Sequence, residues 1–214
     1  MDKERVLEIL RASEVLMEGH FLLTSGRHSN RYMQCARILQ YPEYTEEICE
    51  EMANLFRDEN IDVVIGPATG GIIPAYEVAR MLKARNLFTE RENGKMVLRR
   101  GFYLPAGSRV LVIEDVITTG GTVQEVVDLA TALGGQVVGV AVIVDRSMGV
   151  VSFGVPHKAV YTVDQPMPCA KSGMMRHDKA NMVSWSPEEC PLCREGKIPA
   201  VKPGSRPQPM GGES

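Results

Sequence analysis

"VLVIEDVITTGGTV", Val110 to Val123, sets four apolar residues before two adjacent carboxylates, Glu114 and Asp115, and follows them with a turn of threonines and glycines. A short apolar run bounded by turn residues is the pattern of a strand buried on both faces, as in a parallel sheet. The next stretch, "TVQEVVDLATALGG", carries Val123, Val126, Val127, Ala130 and Leu133 at helical spacing, with Gly134 at the C-terminal cap. Ligands of an open parallel sheet sit beyond the carboxyl ends of its strands, so Glu114 and Asp115 are expected to face a crevice. The turn between strand and helix favours an anion. Its unpaired amides and the positive end of the helix dipole attract one, glycine admits it closely, and threonine hydroxyls add donors. A ligand with a phosphate beside sugar hydroxyls needs both halves of the stretch: carboxylates for the hydroxyls, and Thr118, Thr119, Gly120, Gly121 and Thr122 for the phosphate. The acids can also stabilise positive charge growing on a ribose carbon as its leaving group departs.

The same alternation extends in both directions. "IDVVIG", Ile61 to Gly66, reads as a buried strand, "PATGG" as a loop, and Ile73 to Arg85 as a helix; "VVGVAVIVD" is a third strand. Strand and helix at this spacing predict an α/β fold with a central, mainly parallel sheet, flanking helices and right-handed crossovers. Residues 3 to 17 suggest a first amphipathic helix through Val6, Ile9, Leu10 and Leu16, ended by Gly19. Thr45 can cap a second, which carries Ile48, Met52, Leu55 and Phe56 and ends near Asn60. "FLLTSGRHSNRYMQCARIL" is expected to form a strand, a loop and a strand that present polar groups. Two extended arms around Asn93-Gly94, within "LFTERENGKMVLRRGFYL", give a strong hairpin signal.

A chain of 214 residues that is 44% hydrophobic can build one core. A single domain over 1–201 is expected, with a small N-terminal hood (about 1–40), a core (about 45–163), an insert and C-terminal segment (164–201) and a flexible tail from 202, rich in Pro, Gly and Ser. A net charge of -3 supplies no basic field for nucleic acid. No apolar run is long enough to span a membrane, and the charged start "MDKERVLEIL" lacks a signal core, so a cytoplasmic protein is expected. The missing Gly-x-x-x-x-Gly-Lys-Ser/Thr and Gly-x-Gly-x-x-Gly patterns argue against a nucleoside triphosphatase and a dinucleotide fold.

"VLVIEDVITTGGT" resembles the signature of the type I phosphoribosyltransferases at every position, and "GHFLLTSGRHSNRYMQCARIL", "GPATGGIIPA", "LRRGFYL", "VDRS" and "CPLCREG…PGSR" resemble the orotate branch of that superfamily. The resemblance implies transfer of a phosphoribosyl group from 5-phosphoribosyl 1-diphosphate to orotate. It gives Glu114 and Asp115 the ribose hydroxyls, Thr118 to Thr122 the 5′-phosphate, and Thr69, Gly70 and Gly71 the diphosphate. Orotate falls to Thr118, Arg146, Ser25, Gly26 and Tyr32, and Arg91 and Lys95 are the hairpin cations that act on the diphosphate. The resemblance also implies Mg2+, carried mainly by the substrate with no protein ligand, and a homodimer whose 89–97 hairpin reaches the neighbouring site. Where some members carry lysine before "SGR" and in the "GPA" loop, this chain has Thr24 and Thr69-Gly70. A purine or xanthine base, or a regulator that keeps the site as a sensor, is the alternative reading.

Five cysteines in a cytosolic chain are expected to be reduced. Cys190 and Cys193 form one C-x-x-C, half of a zinc site, for which Cys169, His177 and His157 are candidate partners. Residues 165 to 186 look longer than the family's usual connection.

Overall fold

The computed structural model describes residues 1–23, 26–147, 149–163 and 184–203, and the chain divides into two compact units. The larger unit comprises residues 1–13 and 35–164. Its elements are α1 (Lys3–Ala12), α2 (Pro42–Leu55), β3 (Val63–Pro67), α3 (Ile72–Leu82), β4 (Arg85–Glu92), β5 (Lys95–Leu98), β6 (Arg109–Ile117), α4 (Gly121–Ala132), β7 (Gln136–Asp145) and β8 (His157–Thr162). The smaller unit, residues 14–34 and 165–214, supplies β1 (Leu16–Leu22), β2 (His28–Met33), β9 (Ser184–Trp185) and α5 (Pro191–Glu195).

The six strands of the larger unit run in the order β5-β4-β3-β6-β7-β8, all parallel except β5. From β3 the chain moves outward to β4 through α3; from β6 it moves the other way through α4 to β7. Strand order therefore reverses between β3 and β6, which opens a crevice at their carboxyl ends. Period-two alternation feeds two cores. Val63, Ile65, Val110, Val112, Val140 and Val142 join Val123, Val126, Val127 and Ala130 of α4 in one buried cluster, while Val64, Leu111, Ile113, Ala141 and Ile143 point to the opposite face and are equally buried. Truncation of Val126 in this packing would cost on the order of 2 kcal/mol.

Several boundaries differ from those the periodicity suggests. The first helix stops at Ala12, not Leu16: the Ser13 hydroxyl and amide turn back to Ile9 and Glu14 takes a left-handed φ of 49°, while Gly19 lies inside β1. The second helix starts at Pro42, whose fixed φ suits a first turn; Thr45 lies within it, its hydroxyl donating to the Tyr41 and Ile38 carbonyls. The third ends at Leu82, with Lys83 left-handed, so Arg85 opens β4. β8, "HKAVYT", carries no clean alternation and went unpredicted.

In the smaller unit β1 and β2 form an antiparallel hairpin with a bulge between Glu18 and Phe21, and β9 pairs with β2. The Val201 backbone brackets Phe21, donating to the His20 carbonyl at 2.8 Å and accepting from the Leu22 amide at 2.9 Å. Most of the insert, the tail beyond residue 203, Thr24 and Ser25 lie outside the described residues.

Candidate active site

Parallel pairing places the ends of β3 and β6 side by side, and each is followed by a glycine loop and a helix. After β3, residues 68–71 make a turn so close that a Cβ on Gly66 would lie 2.2 Å from the Gly71 carbonyl oxygen. The Ala68–Thr69 peptide is cis. A Cβ on Gly70 would lie 2.6 Å from the Asp115 carboxylate, so the first loop lies directly against the acid of the neighbouring strand. After β6, Thr118 and Thr119 are exposed, and Gly120 takes φ 76°, where a Cβ would collide with Val151 at 2.5 Å. Only glycine meets both demands at 120.

α4 has no side-chain cap, and its first internal hydrogen bond runs from Gln124 to Gly120. The amides of Gly121, Thr122 and Val123 therefore lack helical acceptors at the positive end of a twelve-residue helix, an arrangement suited to an anion.

Glu114 is 7% exposed and accepts a hydrogen bond from the Asp115 amide at 3.0 Å through Oε1. Burial lifts its carboxyl well above the usual carboxylate range, and the Asp115 charge beside it lifts it further. Burial also raises Asp115. Cys35 is buried, its thiol pushed well up by burial and by the Asp115 charge, with Arg146 opposing. Such a thiol stays neutral and unreactive. Arg146 follows β7 and donates its amide to the Ile117 carbonyl at 2.8 Å, which anchors it beside the end of β6.

The β4–β5 hairpin turns on Asn93 and Gly94, with φ of 49° and 81°, the left-handed pair that a two-residue turn demands. Arg91 reaches Glu125 of α4 at 3.0 Å and also donates to the Gly94 carbonyl. Arg99 and Arg100 pair with Glu92 and Glu90. Lys95 is exposed and makes no hydrogen bond or ion pair among the described residues.

The larger unit thus brings together Glu114, Asp115, Thr69, Gly70, Gly71, the Thr118–Thr122 turn and Arg146. Gly26, with φ 78°, and Tyr32, stacked at 5.7 Å on Phe21, belong to the hairpin of the smaller unit; Ser25 is outside the described residues. The buried Cys35 that senses the Asp115 charge and the Glu125 partner of Arg91 escaped sequence reasoning, since each depends on elements distant in the chain. Of the candidate zinc partners, His157 stands on β8 beside Asp145, and Cys169 and His177 lie outside the described residues. The side chains that meet Cys190 and Cys193 are His20 and His28.

A family model of the phosphoribosyl transferase domain matches residues 34–152, which contain both glycine loops and the acid pair. An orotate phosphoribosyltransferase of Heliobacterium modesticaldum is 54% identical over 96% of this chain and 100% of its own length. That of Desulforamulus reducens is 51% identical over 96% of this chain and 98% of its own length. Among solved structures, the orotate phosphoribosyltransferase from Aeropyrum pernix superposes with a TM-score of 0.65 at 26% identity, over 74% of this chain and 93% of that one. The chain belongs to the phosphoribosyltransferases and, within them, to the orotate phosphoribosyltransferase family.

Proposed function

We propose that the protein transfers the 5-phosphoribosyl group of 5-phosphoribosyl 1-diphosphate to N1 of orotate, giving orotidine 5′-phosphate and diphosphate on the route to UMP. The observation that carries this reading is the acid pair held between two amide-rich loops at the strand-order reversal of β3 and β6. The turn after β6 and the start of α4 cradle the 5′-phosphate, and Asp115 and Glu114 accept hydrogen bonds from the ribose hydroxyls. Thr69, Gly70 and Gly71 line the diphosphate side, where a backbone with few side chains can approach an anion.

The bond from the ribose anomeric carbon to diphosphate breaks as the bond to N1 forms, and positive charge grows on the sugar. A carboxylate pair already desolvated beside that carbon stabilises the charge without reorganising. Arg146 meets the carboxylate or carbonyl edge of orotate, with Thr118, Ser25, Gly26 and Tyr32 as further contacts. Lys95 and Arg91 come over the diphosphate from the hairpin, and closure there excludes the water that would hydrolyse the activated sugar. The site suits magnesium: Asp115, the more exposed of two hard oxygen donors, can accept hydrogen bonds from the waters of an ion carried by the substrate. When bound, that ion offsets the charge of the leaving diphosphate. The protein acts as a cytoplasmic homodimer in which residues 89–97 serve the neighbouring subunit.

The test is a spectrophotometric assay with 5-phosphoribosyl 1-diphosphate and magnesium, with orotate, uracil, adenine, guanine, hypoxanthine and xanthine supplied separately. Magnesium-dependent consumption of orotate alone is expected. Turnover of a purine would keep the phosphoribosyl site and overturn the assignment of Arg146; no turnover of any base would leave a sensor.

A further inference from the structure

The smaller unit holds a cluster that the transfer reaction does not use. His20 on β1, His28 at the start of β2, and Cys190 and Cys193 at α5 turn one ligand atom each toward a common point, all within 4.8 Å of one another. His20 Nε2 lies 2.7 Å from His28 Nδ1, 3.5 Å from Cys190 Sγ and 3.6 Å from Cys193 Sγ; Cys193 Sγ lies 3.2 Å from His28 Nδ1. A zinc ion with ordinary Zn–N and Zn–S bonds in tetrahedral geometry sets N···S edges of about 3.5 Å and an N···N edge of about 3.3 Å. The two N···S edges at His20 already have the required length, and the edges from His28 to His20 and to Cys193 need only a small opening.

We propose that these four residues bind one zinc ion, which staples the segment around α5 to the β1–β2 hairpin.

Three further observations support the assignment. First, the Nδ1 of His20 lies 2.9 Å from the Ile198 carbonyl oxygen, which can only accept. The ring proton is therefore on Nδ1, and the Nε2 lone pair faces the cluster, the outer-shell arrangement typical of a metal-bound histidine. Secondly, Cys190 is 0% exposed, His20 3% and His28 8%. Two thiolates and two neutral imidazoles around a divalent ion make a site of zero net charge, one that can be buried without an uncompensated charge. Thirdly, the described part of this unit has little else to hold it: Val15, Phe21, Met33 and Cys190 are its only buried apolar side chains. Small units with so little core commonly depend on a metal or disulfides.

The C-x-x-C spacing follows from the local backbone. Cys190 precedes the helix in an extended conformation, Pro191 opens it, and Gly196 closes it at φ 64°, so one short turn presents both sulfurs on the same side. Two imidazoles and two thiolates in a closed set match zinc better than magnesium or calcium, which prefer oxygen, and leave no open position for catalysis.

The experiment uses the full chain with its affinity tag removed. Zinc is measured by plasma mass spectrometry after dialysis against metal-free buffer, and cobalt is then exchanged into the site. Wild type is expected to retain about one zinc per chain, and the cobalt form to show tetrahedral ligand-field bands with thiolate charge transfer. Cys190→Ser with Cys193→Ser, and separately His20→Ala with His28→Ala, should each weaken zinc binding by at least roughly tenfold. Removal of zinc from wild type with a chelator should accelerate hydrogen exchange in residues 16–33, a readout that needs no variant to fold and no substrate. Wild type that retains no zinc after exposure to it, octahedral cobalt without thiolate bands, or zinc kept by both double variants would each overturn the proposal.

Discussion

The acid-and-glycine crevice and the histidine–cysteine cluster are built by opposite strategies. Each half of the crevice is a contiguous stretch in which a buried strand ends in functional side chains and a glycine turn opens a helix. The sheet brings two such stretches together simply by making β3 and β6 neighbours. The cluster draws its ligands from two ends of the chain, His20 and His28 against Cys190 and Cys193, and no local pattern announces the pairing. Chemistry that needs amides and strand ends can be written in one short motif, whereas a four-ligand clamp must be written across the fold.

Substitutions can break this contrast, the largest effect first. Asp115→Asn should lower kcat by about a hundredfold or more while the melting temperature holds, because a charge that stabilises the developing cation is removed and the amide fits the same space. Unchanged turnover in the purified variant would take the acid pair out of the mechanism. Gly70→Ala should cost on the order of tenfold to a hundredfold, since the new methyl meets the Asp115 carboxylate and displaces one loop against the other. Steady-state kinetics with unaltered parameters would mean that the two loops do not act as one site. Lys95→Ala should lower kcat about tenfold, equivalent to ~1.4 kcal/mol, and leave orotate affinity nearly intact. Arg91→Ala should do less, given that Glu125 already engages the guanidinium. A loss confined to orotate affinity would speak against closure over the diphosphate.

The smallest effect is one of stability. Burial raises the Glu114 carboxyl, so folding of the ligand-free protein works against its charged form. Its contribution is complete below the ordinary glutamate value and is lost as pH rises through the raised folded value. Gln imitates the neutral acid beside Asp115, Cys35 and Arg146. Glu114→Gln should therefore match wild type in acid and become the more stable protein toward neutral pH, as read by calorimetry over a pH series. A constant difference across the series would show that the charge is not strained.

Much of the crevice was legible in the sequence because its parts are local. The apolar run into Glu114, the Thr118–Thr122 turn, and the α4 face through Val126 and Ala130 each lie within one short stretch. The Asn93-Gly94 hairpin was equally plain, since both residues tolerate the left-handed backbone that its turn imposes. What escaped depended on distant contacts or on competing local bonds. Ser13 bonding back to Ile9 ends α1 before its apolar period runs out. Thr45, a good cap by type, instead serves the carbonyls of the preceding turn once Pro42 has begun the helix. His28 carries no metal signal in the sequence because nothing near it in the chain reveals Cys193, 3.2 Å away in space.

The main-chain bonds that Val201 makes on either side of Phe21 also bear on how the protein is born. A ribosome that adds about 5–20 residues per second delivers Val201 roughly 10–35 s after His20, by which time every strand from β3 to β8 has emerged. The parallel sheet can fold on the nascent chain, while the β1–β2 hairpin must wait for Val201 before these bonds can form. A stalled or prematurely terminated chain would thus carry a finished sheet and an unfinished hairpin, the end on which quality-control proteases would act first.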